Sequence, residues 1–237
     1  MLDHIKEAIV LAGGLGTRLR SVVAELPKPM APIQGKPFLS YLLDYLANQG
    51  VRRVFLSVGY KAEVITEWLS AQTFSFEVSA VVEDAPLGTG GAIAHAWSVT
   101  EAETVAVMNG DTFFPIRLSE FFMFHKKEGT PVSLALARIS PADRYGVVEL
   151  EGSRVKAFQE KVQKPWGWIY GGIALIESAW WKSQKWPEHF SWEAYLTENA
   201  PVIPVGAYLA HDVPFIDIGL PEDYRRAQYL VPQYAQI

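Results

Sequence analysis

Short, unbroken apolar runs alternate in the first half of this chain with stretches whose apolar residues recur every third or fourth position. Ala8-Ile9-Val10-Leu11-Ala12 is such a run, closed by Gly13-Gly14. A run that is apolar throughout predicts a strand covered on both faces of a sheet. Phe38, Leu39, Leu42, Leu43 and Leu46 then share one helical stripe, with Pro37 ahead of it and Gly50 just beyond, the residues that favour a helix start and stop. Val54 to Val58 predicts a second strand, and Val64, Ile65, Trp68 and Leu69 a second helix. Val78 to Val82 predicts a third strand, Ala92 to Ser98 a further helix, and Val105 to Met108 a fourth strand. Strand and helix in regular alternation, turning at glycines, mean βαβ units and a mostly parallel sheet.

The second half has a different pattern. Between Val132 and Ile176 it reads as several strands and hairpin-like turns, with little helix until about Glu193. Mixed or antiparallel strands are expected there. No repeat, low-complexity tract or linker interrupts the 237 residues. The expectation is a single compact α/β domain whose C-terminal half forms a smaller lobe over the carboxyl edge of the sheet, where ligands bind in open α/β folds.

Composition narrows the function classes. Hydrophobic residues are 49% and charged residues 20% of the chain, which excludes a disordered polymer. A net charge of −5 gives no basic field for nucleic acid or an anionic membrane surface. The absence of cysteine excludes disulfides, thiolate zinc sites and a cysteine nucleophile, and fits a cytoplasmic protein. The segment from Met1 to Glu7 carries two acids, and the apolar run behind it ends at Gly13, so neither a signal peptide nor a membrane span is expected.

The sharpest candidate chemistry is Leu11-Ala12-Gly13-Gly14-Leu15-Gly16-Thr17-Arg18-Leu19, followed by Pro27-Lys28-Pro29. A glycine turn after a first strand lets backbone N–H groups approach phosphate oxygens closely, and two cations nearby suit a triphosphate. The dinucleotide fingerprint fails, because Leu19 stands where its third glycine belongs, and the P-loop string is absent. A bare glycine turn with two surface cations has an equally good purely structural reading. The whole string is more specific. With Pro86-Leu87-Gly88-Thr89-Gly90-Gly91-Ala92, Asn109-Gly110-Asp111, Arg144-Tyr145-Gly146, Glu160-Lys161, Gly171-Gly172-Ile173 and Ile216-Asp217-Ile218-Gly219, the chain resembles the sugar-1-phosphate nucleotidyltransferases. Within them it is most similar to the D-glycero-α-D-manno-heptose 1-phosphate guanylyltransferases.

That resemblance implies a Rossmann-like, mixed and mostly parallel sheet flanked by helices, with a smaller sugar-binding β lobe. The nucleotide half would be about 1–115 and the sugar-phosphate half about 116–237. It implies transfer of a nucleoside monophosphate from an NTP, GTP above others, to a sugar 1-phosphate, with pyrophosphate leaving and a GDP-heptose formed for a surface glycan. The nucleophile is already an anion, so no general base is needed; positioning and cations suffice. Arg18 and Lys28 would contact the phosphates. Asp111 and Asp217 would bind Mg²⁺, which takes one or two carboxylates besides water and phosphate oxygens; each alone reads equally as a turn-forming aspartate. Leu11, Ala12, Gly13, Gly14, Gly16, Thr17, Pro86, Gly88 and Thr89 would complete the nucleotide site, with Glu83 accepting from the two Watson–Crick donors of guanine. Glu83 reads also as an acidic turn residue beside Asp84. Asn109, Gly146, Glu160, Lys161, Tyr170 and Gly171 would hold the sugar phosphate. Tyr170 departs from the family, many of whose members carry Asn there.

Six of the eight tryptophans fall between Trp166 and Trp192. Trp166 and Trp168 are placed at the sugar pocket, and Trp180, Trp181 and Trp186 in the core or at the interface of a homodimer. His95 and His211 lack metal-ligand spacing. Other readings stay open at this point: a mannose 1-phosphate guanylyltransferase, an N-acetylmuramate 1-phosphate uridylyltransferase, a catalytically silent nucleotide-sugar sensor, and a glycosyltransferase, whose usual Asp-x-Asp is broken here by Asn109.

Overall fold

A computed structural model describes residues 4–14, 26–159 and 163–235. The first half follows its hydrophobic pattern. Strands β1 (Glu7–Leu11), β4 (Arg53–Val58), β5 (Glu77–Val82) and β6 (Thr104–Asn109) alternate with helices α1 (Phe38–Asn48), α2 (Ala62–Ser70) and α3 (Gly88–Trp97), while a short hairpin, β2 (Pro32–Ile33) and β3 (Lys36–Pro37), precedes α1. Helix α3 begins four residues before its apolar stripe, inside the glycine-rich motif. A Cβ at Gly90 would lie 2.2 Å from the Phe190 ring and one at Gly91 2.4 Å from the Glu188 carbonyl oxygen. The glycines are there for close packing rather than for a turn.

The four strands run parallel in the order β5-β4-β1-β6. The second half extends the same sheet. After β7 (Thr112–Phe113) and α4 (Leu118–Glu128) come β8 (Val132–Ile139), β9 (Val147–Glu151), β10 (Arg154–Gln159) and the long β11 (Gly167–Glu177). Helices α5 (Ser178–Ser183) and α6 (Trp192–Asn199), strands β12 (Val205–Ala210) and β13 (Ile216–Asp217), and helix α7 (Pro221–Tyr234) complete the described chain. Strand β11 pairs antiparallel with β6 and β8, and the sheet continues through β12 and β10 to β9. The mixed half therefore begins at β11, in the region where hairpin-like turns replace the helical period. Strand β9 also bridges back to β11 through Val147 and Ile169, so this end of the sheet curls back on itself.

Two apolar layers cover the sheet. Leu39, Leu42 and Leu46 of α1, Phe121 of α4 and Val231 of α7 fill one face. Ile93 and Trp97 of α3, Trp181 of α5 and Trp192 and Leu196 of α6 fill the other. The tryptophan cluster lies in this second layer: Trp181 stacks on Trp97 at 4.6 Å and on Trp186 at 4.2 Å between ring centroids. Trp166 and Trp168, by contrast, lie away from the sugar pocket where the sequence suggested them. Trp166 is exposed under the Arg138 guanidinium, and Trp168 packs edge-on against His211.

One polar cluster is buried at the opposite end of the sheet. His125 of α4, 1% exposed, sits with Nδ1 2.8 Å from Ser133 Oγ and Nε2 2.9 Å from Glu177 Oε1. Burial pushes the imidazole below its ordinary pKa, against the opposing pull of Glu177. Burial pushes the Glu177 carboxyl up, but hydrogen bonds from Lys126 and Thr104 outweigh it and hold the group below its ordinary value. An unfolded histidine therefore takes its proton before His125 does, so the unfolded state binds more protons as pH drops through about 6.5. The Glu177 contribution has the same sign and is lost at lower pH. Urea midpoints are expected to fall from pH 7 to pH 5, and His125→Gln is expected to flatten that slope. An equal slope in the variant would contradict the assignment.

Candidate active site

The carboxyl ends of β1 and β6 stand side by side, with Leu11 opposite Asn109. Gly110 N–H donates to the Leu11 carbonyl at 2.9 Å, and a Cβ at Gly110 would lie 2.5 Å from that same oxygen. Only a glycine turns the chain in this space. The turn delivers Asp111 to the edge of the sheet. Its Oδ2 accepts from Lys28 Nζ at 2.7 Å. Lys28 is held in turn by a single 3₁₀ turn, Lys28–Met30, anchored by buried Pro29 and Met30.

A small antiparallel pair brings in the second carboxylate. β7 pairs with β13, setting Asp217 opposite Thr112, and Ile218 N–H donates to the Asp111 carbonyl at 3.0 Å. Asp217 Oδ1 accepts from Gly219 N–H at 2.7 Å. A Cβ at Gly219 would come 2.8 Å from Asp217 Oδ1 and 2.9 Å from Lys28 Nζ. Lys28, Asp111 and Asp217 therefore share one small space, although 189 positions of chain number separate Lys28 from Asp217.

This space opens into a cavity of about 630 Å³. Leu11, Ala12, Gly14, Lys28, Asn109, Asp111 and Asp217 line it together with Arg144, Gly146, Gln159, Tyr170, Gly172 and Glu193. A second cavity of about 400 Å³ adjoins it and shares Leu11, Gly14 and Thr89. Gly13, Gly59, Tyr60, Glu83, Pro86 and Gly88 are also in its wall. Here Glu83 is fixed as an acceptor: Ser57 Oγ donates to Oε1 at 2.9 Å, and Leu87 N–H lies 3.4 Å from Oε2. A Cβ at Gly13 would lie 2.9 Å from Glu83 Oε1, so the first glycine of the turn leaves room for this carboxylate.

Those expected residues that lie within the described chain thus fall around two adjoining cavities, with one correction. Gly171 does not line the wall. A β-bulge at Gly171-Gly172 shifts the β11–β8 register between Tyr170 and Ile173. It seats Gly171 against the Phe114 ring, where a Cβ would lie 2.5 Å away, and turns Gly172 (φ +75°) to the cavity. Tyr170 does face the cavity. Burial, reinforced by the Glu193 carboxylate, pushes its phenol far above the ordinary tyrosine range, so it stays a neutral hydroxyl. Gly16, Thr17, Arg18, Glu160 and Lys161 lie outside the described residues. Glu193 was missed as a site residue. In sequence it marks only the start of a helix, and nothing local shows that α6 faces the cavity.

Comparisons with known proteins agree with this geometry. A family model described as "Nucleotidyl transferase" matches residues 7–179, and the chain belongs to that family. It is 43% identical over 228 residues to the D-glycero-alpha-D-manno-heptose 1-phosphate guanylyltransferase of Aneurinibacillus thermoaerophilus, covering 96% of this chain and 99% of that one. The protein of the same name from Campylobacter jejuni is also 43% identical, over 92% of this chain and 96% of its own. The crystal structure of HddC from Yersinia pseudotuberculosis superposes with a TM-score of 0.85 at 34% identity, over 94% of this chain and 98% of that one. A second structure of that protein, complexed with GMP-PN, gives 0.84. The protein is therefore an enzyme of the nucleotidyltransferase class, built on the fold of the sugar nucleotidyltransferases. Among the described residues no helix is long and apolar enough to cross a membrane.

Gly110→Ala tests the geometry that delivers Asp111. The added methyl meets a backbone oxygen that cannot yield, and overpacking of this kind costs about 2 kcal/mol. Urea denaturation is expected to show that loss, together with a fall in turnover. Full stability in the variant would contradict the close approach.

Proposed function

We propose that this enzyme transfers GMP from GTP to D-glycero-α-D-manno-heptose 1-phosphate, releasing pyrophosphate and forming GDP-heptose. The observation that supports the reading is the grouping of Lys28, Asp111 and Asp217 in the larger cavity, with a second cavity that holds Glu83 adjoining it at Leu11, Gly14 and Thr89. Relatives that match nearly the full chain bear the name of this activity.

Guanine occupies the cavity that holds Glu83. Its N1–H and N2–H₂ are adjacent donors, whereas uracil offers one, so a fixed carboxylate favours GTP. The triphosphate crosses the glycine turn at Gly13 and Gly14 towards Lys28, and Arg18 lies against the leaving pyrophosphate in the arrangement the family resemblance implies. The sugar 1-phosphate enters the larger cavity. An oxygen of its phosphate attacks the α-phosphorus in line. The new O–P bond forms as the bond to the β-phosphate oxygen breaks, and the electron pair leaves with pyrophosphate. No proton need be abstracted, because the nucleophile is an anion. Lys28 neutralises charge on the equatorial oxygens of the transferring group.

Asp111 and Asp217 suit a divalent cation, Mg²⁺ by their chemistry. They are hard oxygen donors grouped about the same Lys28 ammonium, and two carboxylates without further His, Asp or Glu clustering among the described residues match an ion that takes its remaining oxygens from water and phosphate. When bound, the ion offsets phosphate charge and steadies the leaving group.

The reading is tested by pyrophosphate release in a grid of five NTPs against heptose, mannose, glucose, N-acetylglucosamine and N-acetylmuramate 1-phosphates with Mg²⁺. GTP with the heptose is expected to lead every other pair. Release from a different pair alone replaces the named substrates, and silence throughout overturns nucleotidyl transfer. Two variants probe the roles. Asp111→Asn is expected to lower kcat by at least ~100-fold, the scale of one lost electrostatic contact at a reacting phosphate; wild-type turnover at saturating Mg²⁺ contradicts it. Glu83→Gln is expected to reduce the GTP:UTP preference, and an unchanged ratio removes Glu83 from base selection.

A further inference from the structure

Thr89 lies in the glycine-rich motif that borders the base cavity, yet its hydroxyl is engaged from the opposite side. Its Oγ1 donates to Glu193 Oε2 at 2.5 Å and accepts from the Trp192 backbone N–H at 2.9 Å. Ser191 Oγ donates to the same Glu193 oxygen at 2.9 Å. Both bonds therefore fall on Oε2, and Oε1 accepts neither. Glu193 itself lines the larger cavity beside Tyr170.

The backbone around this link leaves no slack. The Phe190 carbonyl accepts from Gly90 N–H at 2.9 Å, and Phe190 N–H donates to the Leu87 carbonyl at 3.1 Å. A Cβ at Gly88 would lie 2.5 Å from the Phe190 carbonyl oxygen. The first turn of α3 and the segment leading into α6 thus form one interlocked piece. The amide of Gly90 is committed to it.

We propose that Thr89 is a positioning residue for the acceptor rather than a contact to the nucleotide. Its hydroxyl orients the Glu193 carboxylate so that Oε1 accepts a hydrogen bond from a hydroxyl of the sugar 1-phosphate. A carboxylate acceptor selects for a polyhydroxylated ring, and a bond to a charged group is worth more than a neutral one. The motif that shapes the base cavity thereby also sets the acceptor wall, so the two substrate sites are built as a unit. This inference rests on the reading given under Proposed function.

The test compares steady-state constants of wild type, Thr89→Val, Thr89→Ser and Glu193→Gln, using whichever acceptor the wild type turns over best. Thr89→Val is expected to raise KM for the acceptor about tenfold, the scale of one hydrogen bond to a charged group. KM and calorimetric Kd for GTP are expected to stay within about twofold, and Thr89→Ser to restore the acceptor constant. Glu193→Gln, which keeps the side-chain shape, is expected to raise acceptor KM alone. Thr89→Val added to Glu193→Gln is expected to cost little more, because the two act through one bond. A rise in KM for GTP with the acceptor constant unmoved overturns the inference. So does an unchanged acceptor KM in Glu193→Gln, which holds even if Thr89→Val does not fold. Silence of the wild type towards every acceptor overturns nucleotidyl transfer and this inference with it.

Discussion

Three charges in one small space govern the rest of this molecule. The Asp111 and Asp217 carboxylates share the carboxyl edge of the sheet with the Lys28 ammonium, which bonds to Asp111 and lies near Asp217. Like charges held in one partly buried space are costly unless a cation faces them. The chain meets that constraint with backbone as well as charge. Asp111 follows a glycine that touches the neighbouring strand, Lys28 is pinned by a turn with buried neighbours, and Asp217 is held by its own loop amide. Two carboxylates against one ammonium leave this space net negative, a balance that a divalent cation beside phosphates would offset.

Close approach at glycines is the device that assembles everything around those charges. Gly110 seats the end of β6 against β1, Gly172 makes room for the Asn109 side chain, and Gly90 lies under the Phe190 ring. Each brings together elements far apart in sequence. The same device joins the two cavities, since the segment locked to α3 also carries Glu193. Aromatic packing behind α3, from Trp97 through Trp181 and Trp186 to Trp192, gives that joint a rigid backing.

Much of this was legible in the sequence, and the reasons are particular. The parallel half could be read because its strands are covered on both faces and its helices on one, so the apolar period itself changes from element to element. Asp217 stands out because a charge between Ile216 and Ile218 needs a partner, whereas Asp111, after Asn109 and Gly110, reads locally as a turn residue and is paired with Asp217 only by the family resemblance. Other features depend on distances that no local pattern encodes. Thr89 and Glu193 meet across 104 positions of chain number. Which of Gly171 and Gly172 faces the cavity is decided by a register shift against β8. Glu7 reads as an ordinary N-terminal acid, yet it is fully buried, accepting from the Glu101 and Ala102 amides and facing Arg53. Trp166 and Trp168 follow Glu160-Lys161 in sequence, but neither lines the larger cavity.

The central claim is that this chain performs a single in-line displacement by placing and neutralising phosphates, without a nucleophile of its own. The most direct test is the stereochemical course at phosphorus, followed by ³¹P NMR with one diastereomer of GTP carrying sulfur on its α-phosphorus. A single displacement predicts inversion of configuration in the nucleotide-sugar product. Retention would require two displacements through a covalent enzyme intermediate and would contradict the account.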